Sequence, residues 1–241
     1  MEKDNLIENV RLLKDAVDVV QLLFFGKDYL ADVMSREIVL RLKEIRAESG
    51  INYVVHLPID YDLMNNAVSP GTVLSSIESI ITATAEIDVV SYILHIDRCV
   101  DFKYPAVVLG NESRERLKFV LDCLRPSLPW DKLHIENTGY DFTYFSDILS
   151  AADCTICMDA GHLHRTGKTV SGFMDVFGPN VKTAHIHGFL GERDHKAVVD
   201  TDPRFQNDVL PFLKDFRGTA IIEVFDKDDF CNSCECLAKY F

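Results

Sequence analysis

Thr155-Ile156-Cys157-Met158-Asp159-Ala160-Gly161-His162 is a short apolar run that ends on a carboxylate and turns at once through Ala160-Gly161 into a histidine. Residues 155–159 are too few for a buried helix, and the run predicts a strand. Runs of the same kind occur at Val19–Phe25, Tyr53–Pro58, Val89–Ile96, Leu133–Glu136, Thr183–His187 and Ala220–Val224. They are continuous rather than alternating, which predicts burial on both faces, as in a parallel sheet under helices. Between them lie helical spacings. Leu6, Val10, Leu13 and Val17 mark the first, and Ser75–Ala85, Arg114–Leu124, Phe145–Ala152 and Phe205–Phe216 follow.

Strand and helix alternate without a Pro/Ser-rich linker or low-complexity segment. The expectation is an α/β chain with one domain over residues 1–241, a (β/α)8-type TIM barrel. Only seven strands are visible, and the chain opens with a helix, so the barrel is expected to lack its first strand. Such a barrel has two unpaired edges, which proteins usually cover. An upstream strand, a loop or a partner chain would close it, and a homodimer is expected on that ground. No G-x-G-x-x-G follows any strand, which argues against a doubly wound nucleotide fold.

The composition narrows the function. Lys plus Arg is 25 and Asp plus Glu is 38, a net charge of 25 − 38 = −13. Nucleic-acid partners are not expected, because phosphate backbones are gripped by cationic side chains. A small anionic substrate is compatible, since one metal site overrides the global charge locally. The start, Met1-Glu2-Lys3-Asp4, has no signal-peptide character, and the apolar stretch Val17 to Phe25 is broken by Asp18 and Gln21. A cytoplasmic protein without membrane contact is expected. The seven cysteines lack the spacing of a small secreted domain, so reduced thiols are expected.

The polar residues carry the functional signal. His56, His95, His134, His162, His164, His185 and His187 lie on a strand or just past its C-terminal end. Glu136, Asp159 and Glu223 sit in the same kind of place. In parallel barrels those ends face the active-site mouth. A carboxylate inside an apolar strand needs a partner, so the three acids are expected to converge on a cation. Imidazole and carboxylate ligands without a thiolate favour a divalent ion such as Mn, Zn, Fe or Co. His185 and His187 share one strand face by period. His187, nearer the mouth, is the preferred ligand, with His185 as its support or the reverse. His134 lies beneath Glu136 by the same period. Asp194 and His195, on the loop after that strand, are further candidates, whereas His164 reads as an exposed loop residue. Arg98, at the end of His95-Ile96-Asp97, is a candidate substrate contact.

Val55-His56-Leu57-Pro58, Leu94-His95-Ile96-Asp97, Ile135-Glu136-Asn137, Met158-Asp159-Ala160-Gly161-His162, His185-Ile186-His187-Gly188 and Ile222-Glu223 are similar, in this order, to the xylose isomerase-like TIM barrels. That superfamily includes sugar isomerases, epimerases and apurinic-site endonucleases. The stretches Asp18–Phe25 and Tyr53–Asp60, Trp130 with Leu133–Asn137, the Asp159–Leu163 turn, and His185–Gly188 with Asp194-His195 resemble one branch, the cobamide-remodelling phosphodiesterases. Members usually begin with a strand ahead of the first helix, which implies a truncated start here. Many carry Glu where this chain has Gln21.

The resemblance implies a metal-dependent phosphodiesterase, with Mn or Zn, acting on the nucleotide loop of a vitamin B12-type corrinoid. Endonuclease-type barrels hold up to three metals at positions like His56, His95, Glu136, Asp159, His162, His187, Asp194 and Glu223. Epimerase-type barrels hold one, at Glu136, Asp159, His187 and Glu223. The extra histidines point to the hydrolytic kind. Glu136, Glu223 and His187 are then the catalytic candidates, with Glu136 bridging two metals, His185 and His195 as further ligands, and Arg98 and Asn137 toward substrate. The alternative is a metal-dependent sugar or polyol isomerase or epimerase, with Glu136 and Glu223 as the acid/base pair. A DNA endonuclease is disfavoured by the charge, and a non-catalytic corrinoid or sugar binder is a further reading. Cys154-x-x-Cys157 and Cys231-x-x-Cys234 are not expected to share a zinc, because Cys154 starts a strand and Cys231 follows one.

Overall fold

The computed structural model describes residues 5–24, 34–66, 68–98, 109–190 and 193–241. Met1-Glu2-Lys3-Asp4 and Phe25, which figure in the sequence reading, lie outside them. Two compact units divide the chain, one of residues 2–136 with 147–155 and one of 137–146 with 156–241. Among the described residues seven parallel strands run in one sheet in chain order.

The first unit alternates α1 (Leu6–Leu13), β1 (Val19–Leu23), α2 (Arg36–Ser49), β2 (Asn52–His56), α3 (Pro70–Thr84), β3 (Ser91–His95), α4 (Asn111–Leu124) and β4 (Leu133–Glu136), and carries most of α5 (Ser146–Ala151). Local chemistry sets the boundaries. Ser35 caps α2 by accepting the Ile38 N–H, and Gly50 ends it at φ 77°, a left-handed turn that glycine holds without a Cβ penalty. Pro70 opens α3 at its first turn, where its missing N–H costs nothing, and the helix therefore begins ahead of the expected Ser75. The apolar face of α2, Val39, Leu42 and Ile45, is buried. β3 and β4 are buried along their whole length, as a sheet covered on both faces requires. In register, Leu23 pairs with His56, His56 with Ile93 and His95 with Glu136.

The second unit contains β5 (Thr155–Asp159) from Ile156 onward, α6 (Ala160–Arg165), α7 (Val170–Phe177), β6 (Val181–Ile186), the hairpin β7 (Gly188–Leu190) and β8 (Arg193–Lys196), a π-helical turn at Phe205–Val209 leading into α8 (Leu210–Asp215), β9 (Thr219–Ile222) and α9 (Lys227–Leu237). Asp159 pairs with His185, and His185 with Ile221. The antiparallel hairpin corrects one expectation. Asp194 and His195 lie on a strand, not on an open loop. The short polar run Arg193–Lys196 has no apolar period that would announce it. Among the described residues no helix is long and apolar enough to cross a membrane.

Candidate metal centres

In the first unit, β2, β3 and β4 end on His56, His95 and Glu136, which are all buried. The Leu57 carbonyl lies 2.8 Å from His56 Nδ1 and accepts its N–H. That bond fixes the tautomer and leaves a lone pair on Nε2. Nε2 faces Glu136 Oε2 at 3.2 Å, and His95 Nε2 faces the same oxygen at 3.2 Å. The two rings meet edge-on with centroids 4.9 Å apart. A lone pair aimed at a carboxylate oxygen in a buried place needs a proton or a cation between them. The carbonyl behind the ring is the outer support that metal-bound histidines use.

In the second unit, Asp159 does two things at once. It ends β5, and its Oδ1 caps α6 by accepting the His162 N–H at 2.6 Å. The strand therefore passes directly into a helix, and His162 is delivered three residues after the carboxylate. Asn137 braces this turn. Its Nδ2 donates to the Asp159 carbonyl at 3.0 Å and its Oδ1 accepts the Asp159 N–H at 2.8 Å. The Asn137 carbonyl, 3.1 Å from His162 Nδ1, accepts that ring's N–H. Asn137 was expected to contact substrate. With both ends of its amide on the Asp159 backbone, it is instead a brace.

Two donor groups result. Asp159, His185 and Glu223 offer ligand atoms that all lie within 4.8 Å of one another, and so do His162, His187 and His195. His185 Nδ1 is 3.0 Å from Glu223 Oε2 and 3.9 Å from Asp159 Oδ2. His187 Nε2 is 3.2 Å from Asp159 Oδ1. Its ring stacks on His195 with centroids 4.3 Å apart. So His185, not the preferred His187, stands with the two carboxylates. β6 ends at Ile186, and beyond that residue strand alternation no longer places His187 on the face of His185.

His195 reports the electrostatics. Burial works against its charged form, but contacts with Asp194 and Glu223 outweigh burial and push its pKa up to about 10. Burial likewise opposes the Asp194 anion, while His195 and Arg165 more than offset this and hold its pKa well below the usual carboxylate range. Carboxylates that hold a proton on a buried imidazole attract a metal cation to the same place. The donor sets, imidazole and carboxylate on fixed strand ends, fit a divalent transition metal.

The remaining candidates lie elsewhere. His134 is buried in β4, two residues before Glu136. Arg98 is exposed just past β3. His164 is not an exposed loop residue: it sits half-buried on α6 with Nε2 2.9 Å from Asp208 Oδ2. Asp208 also accepts the N–H groups of Val170 and Ser171 at the start of α7. Cys231 and Cys234 lie on α9, and burial pushes the Cys154 thiol up to about 12. The sequence reading missed Gly161 as a site residue, although Ala160-Gly161 was in view. A Cβ there would overlap the His187 ring, so only glycine lets α6 approach that closely.

No protein-family model matches the chain, and no curated protein matches it. Solved structures do. A D-tagatose 3-epimerase-like protein matches at TM-score 0.74 and 20% identity, covering 95% of this chain and 90% of that one. The IolI protein with a bound zinc atom matches at TM-score 0.72 and 16% identity, over 98% and 94%. Endonuclease IV from Thermus thermophilus matches at TM-score 0.67 and 18% identity, over 99% and 96%. These likenesses show the fold, a TIM barrel.

Proposed function

We propose that this chain is a metal-dependent phosphodiesterase whose substrate is a cobamide, cleaved in its nucleotide loop. The observation that carries the hydrolytic reading is the histidine group His162, His187 and His195, additional to Asp159, His185 and Glu223. A barrel that moves a proton between carbons needs one ion, which Asp159, His185 and Glu223 alone would hold. A further group beside it, His162, His187 and His195, suits a reaction in which negative charge is neutralised at several oxygens. The corrinoid as substrate rests on the sequence resemblance.

Asp159, His185 and Glu223 would hold one divalent ion, His162, His187 and His195 a second, and His56, His95 and Glu136 a third. Bound there, Mn or Zn supplies Lewis acidity toward phosphoryl oxygens and lowers the pKa of water. Buried imidazoles held by backbone carbonyls keep their Nε2 atoms aimed without reorganisation. Asp194 anchors the His195 ring from outside, with Oδ1 3.1 Å from Nδ1. Arg98, exposed beyond β3, would meet an anionic or amide-bearing substrate.

The test is turnover. Chelator-stripped protein is incubated with an adenosylated cobamide, with and without Mn²⁺ or Zn²⁺, and the product is located by mass spectrometry. Metal-dependent cleavage at the phosphodiester is expected. A protein that loads metal and leaves every phosphodiester intact sinks this reading.

A second reading, a sugar isomerase or epimerase, is favoured by the fold comparisons, in which epimerases recur. Glu223, beside His185 at 3.0 Å, would then be one partner in the proton transfer. Solvent deuterium entering a sugar C–H bond, without phosphoester turnover, would establish it.

A further inference from the structure

We propose that Ser233 and Asp229 on α9 are positioning residues that hold His195 over His187 and so set the geometry of that histidine group. The inference rests on the metal reading of the group given above. His195 has φ 53°, a left-handed conformation that a side-chain-bearing residue holds only when its surroundings impose it. In this conformation its backbone nitrogen lies 3.1 Å from His187 Nδ1, which also lies 3.2 Å from the Gly188 carbonyl, and the rings stack at an interplanar angle of 14°. The hairpin ladder does not impose it. β7 and β8 pair at Gly188↔Lys196 and Leu190↔Arg193, with irregular register between, and His195 falls outside both pairs.

α9 supplies the hold from behind. The Lys196 ammonium donates to Asp229 Oδ2 at 2.8 Å, and the Ala197 N–H to Asp229 Oδ1 at 3.2 Å. The Val198 N–H donates to Ser233 Oγ at 3.0 Å. Ser233 is fully buried, and its own proton goes to the Asp229 carbonyl at 2.7 Å, one helical turn back. Its oxygen is thereby committed to accepting, which is what a buried amide opposite it requires. Three successive residues after His195 are thus fixed to two side chains four apart on one helix face. Gly188 lets the other strand close against the Ala197 carbonyl, where a Cβ would overlap.

Ser233→Ala removes the acceptor for Val198, and Ser233→Thr restores it. Two readouts separate positioning from general structure. One is the imidazole ¹H–¹⁵N spectrum of the metal-free protein, and the other is the binding isotherm for Zn²⁺ or Mn²⁺. Ser233→Ala is expected to move the resonances of His187 and His195 while those of His56 and His95 stay. It is expected to weaken one class of metal site about ten-fold or more and leave the others unchanged. Ser233→Thr restores both. Asp229→Asn, which keeps an acceptor for Ala197 but drops the carboxylate charge that Lys196 pairs with, gives the same pattern more weakly and covers the case in which the alanine variant does not fold. Unchanged His187 and His195 resonances in both variants overturn the proposal. So does a uniform shift of all the histidines with equal loss at every site. If the wild-type chain takes up no divalent ion, the metal reading falls, and the imidazole spectrum still decides the positioning role.

Discussion

The donors of the first unit and those of the second are held in different ways. His56, His95 and Glu136 are the last residues of three neighbouring strands, and the ladder alone brings them together. In the second unit only Asp159 and His185 are placed by strand register. Glu223 lies one residue past β9, held by its N–H to the Ile186 carbonyl at 3.0 Å. His162 depends on a helix start, His187 on a glycine that clears space for it, and His195 on a hairpin tied to α9. The contrast teaches where each group is vulnerable. The first fails only if a donor itself is changed, whereas the second also fails through residues that touch no donor atom.

The largest effect is expected from Glu136→Gln, which strikes the donor that both first-unit imidazoles face. Turnover should fall about 10²–10⁴-fold. One class of metal site should weaken in the isotherm while the group around His187 keeps its affinity. Retained turnover would remove Glu136 from the chemistry.

Gly161→Ala tests the second unit through a residue that ligates nothing. The new methyl must push the His187 ring aside. Metal affinity at its group should drop about 10–100-fold, with the His56 and His95 resonances unmoved. Asn137→Ala comes next. It leaves the buried Asp159 N–H and carbonyl without their partner, at a cost of about 1–3 kcal/mol. As a brace rather than a substrate contact, it should weaken metal binding and kcat while KM stays. A rise in KM alone would return Asn137 to the substrate.

This difference in support also explains what the sequence disclosed. β4 and β5 were legible to the residue, because an apolar run that stops on a carboxylate marks both the strand and its functional end. The seven-strand parallel plan followed from the same signal. His185 and His187 were harder. Period two puts them on one face, but the period lapses where the ladder stops at Ile186. β8 was invisible because its position is set by Asp229 and Ser233, more than thirty residues away, and not by its own composition. α2 and α7 were overlooked although Val39, Leu42 and Ile45, and Val170, Phe173 and Phe177, keep helical spacing. Asn137 and His164 were misread for one reason: the partner of a polar side chain is a tertiary fact.

The smallest effect is expected where a histidine of the second unit is structural. His164 belongs to the same short helix as His162, yet it faces Asp208, and Asp208 caps α7 through the Val170 and Ser171 amides. In His164→Gln the carboxylate keeps both amide bonds, so only one side-chain contact is lost, about 1 kcal/mol. For a chain of this size that corresponds to a fall in Tm of roughly 2–4 °C. Metal stoichiometry and turnover should match the wild type. His162→Gln, two positions earlier, should differ by losing metal as well. If the two variants behave alike, the division of α6 into a ligating and a structural histidine is wrong, and the boundary of the second metal group has to be redrawn to include His164.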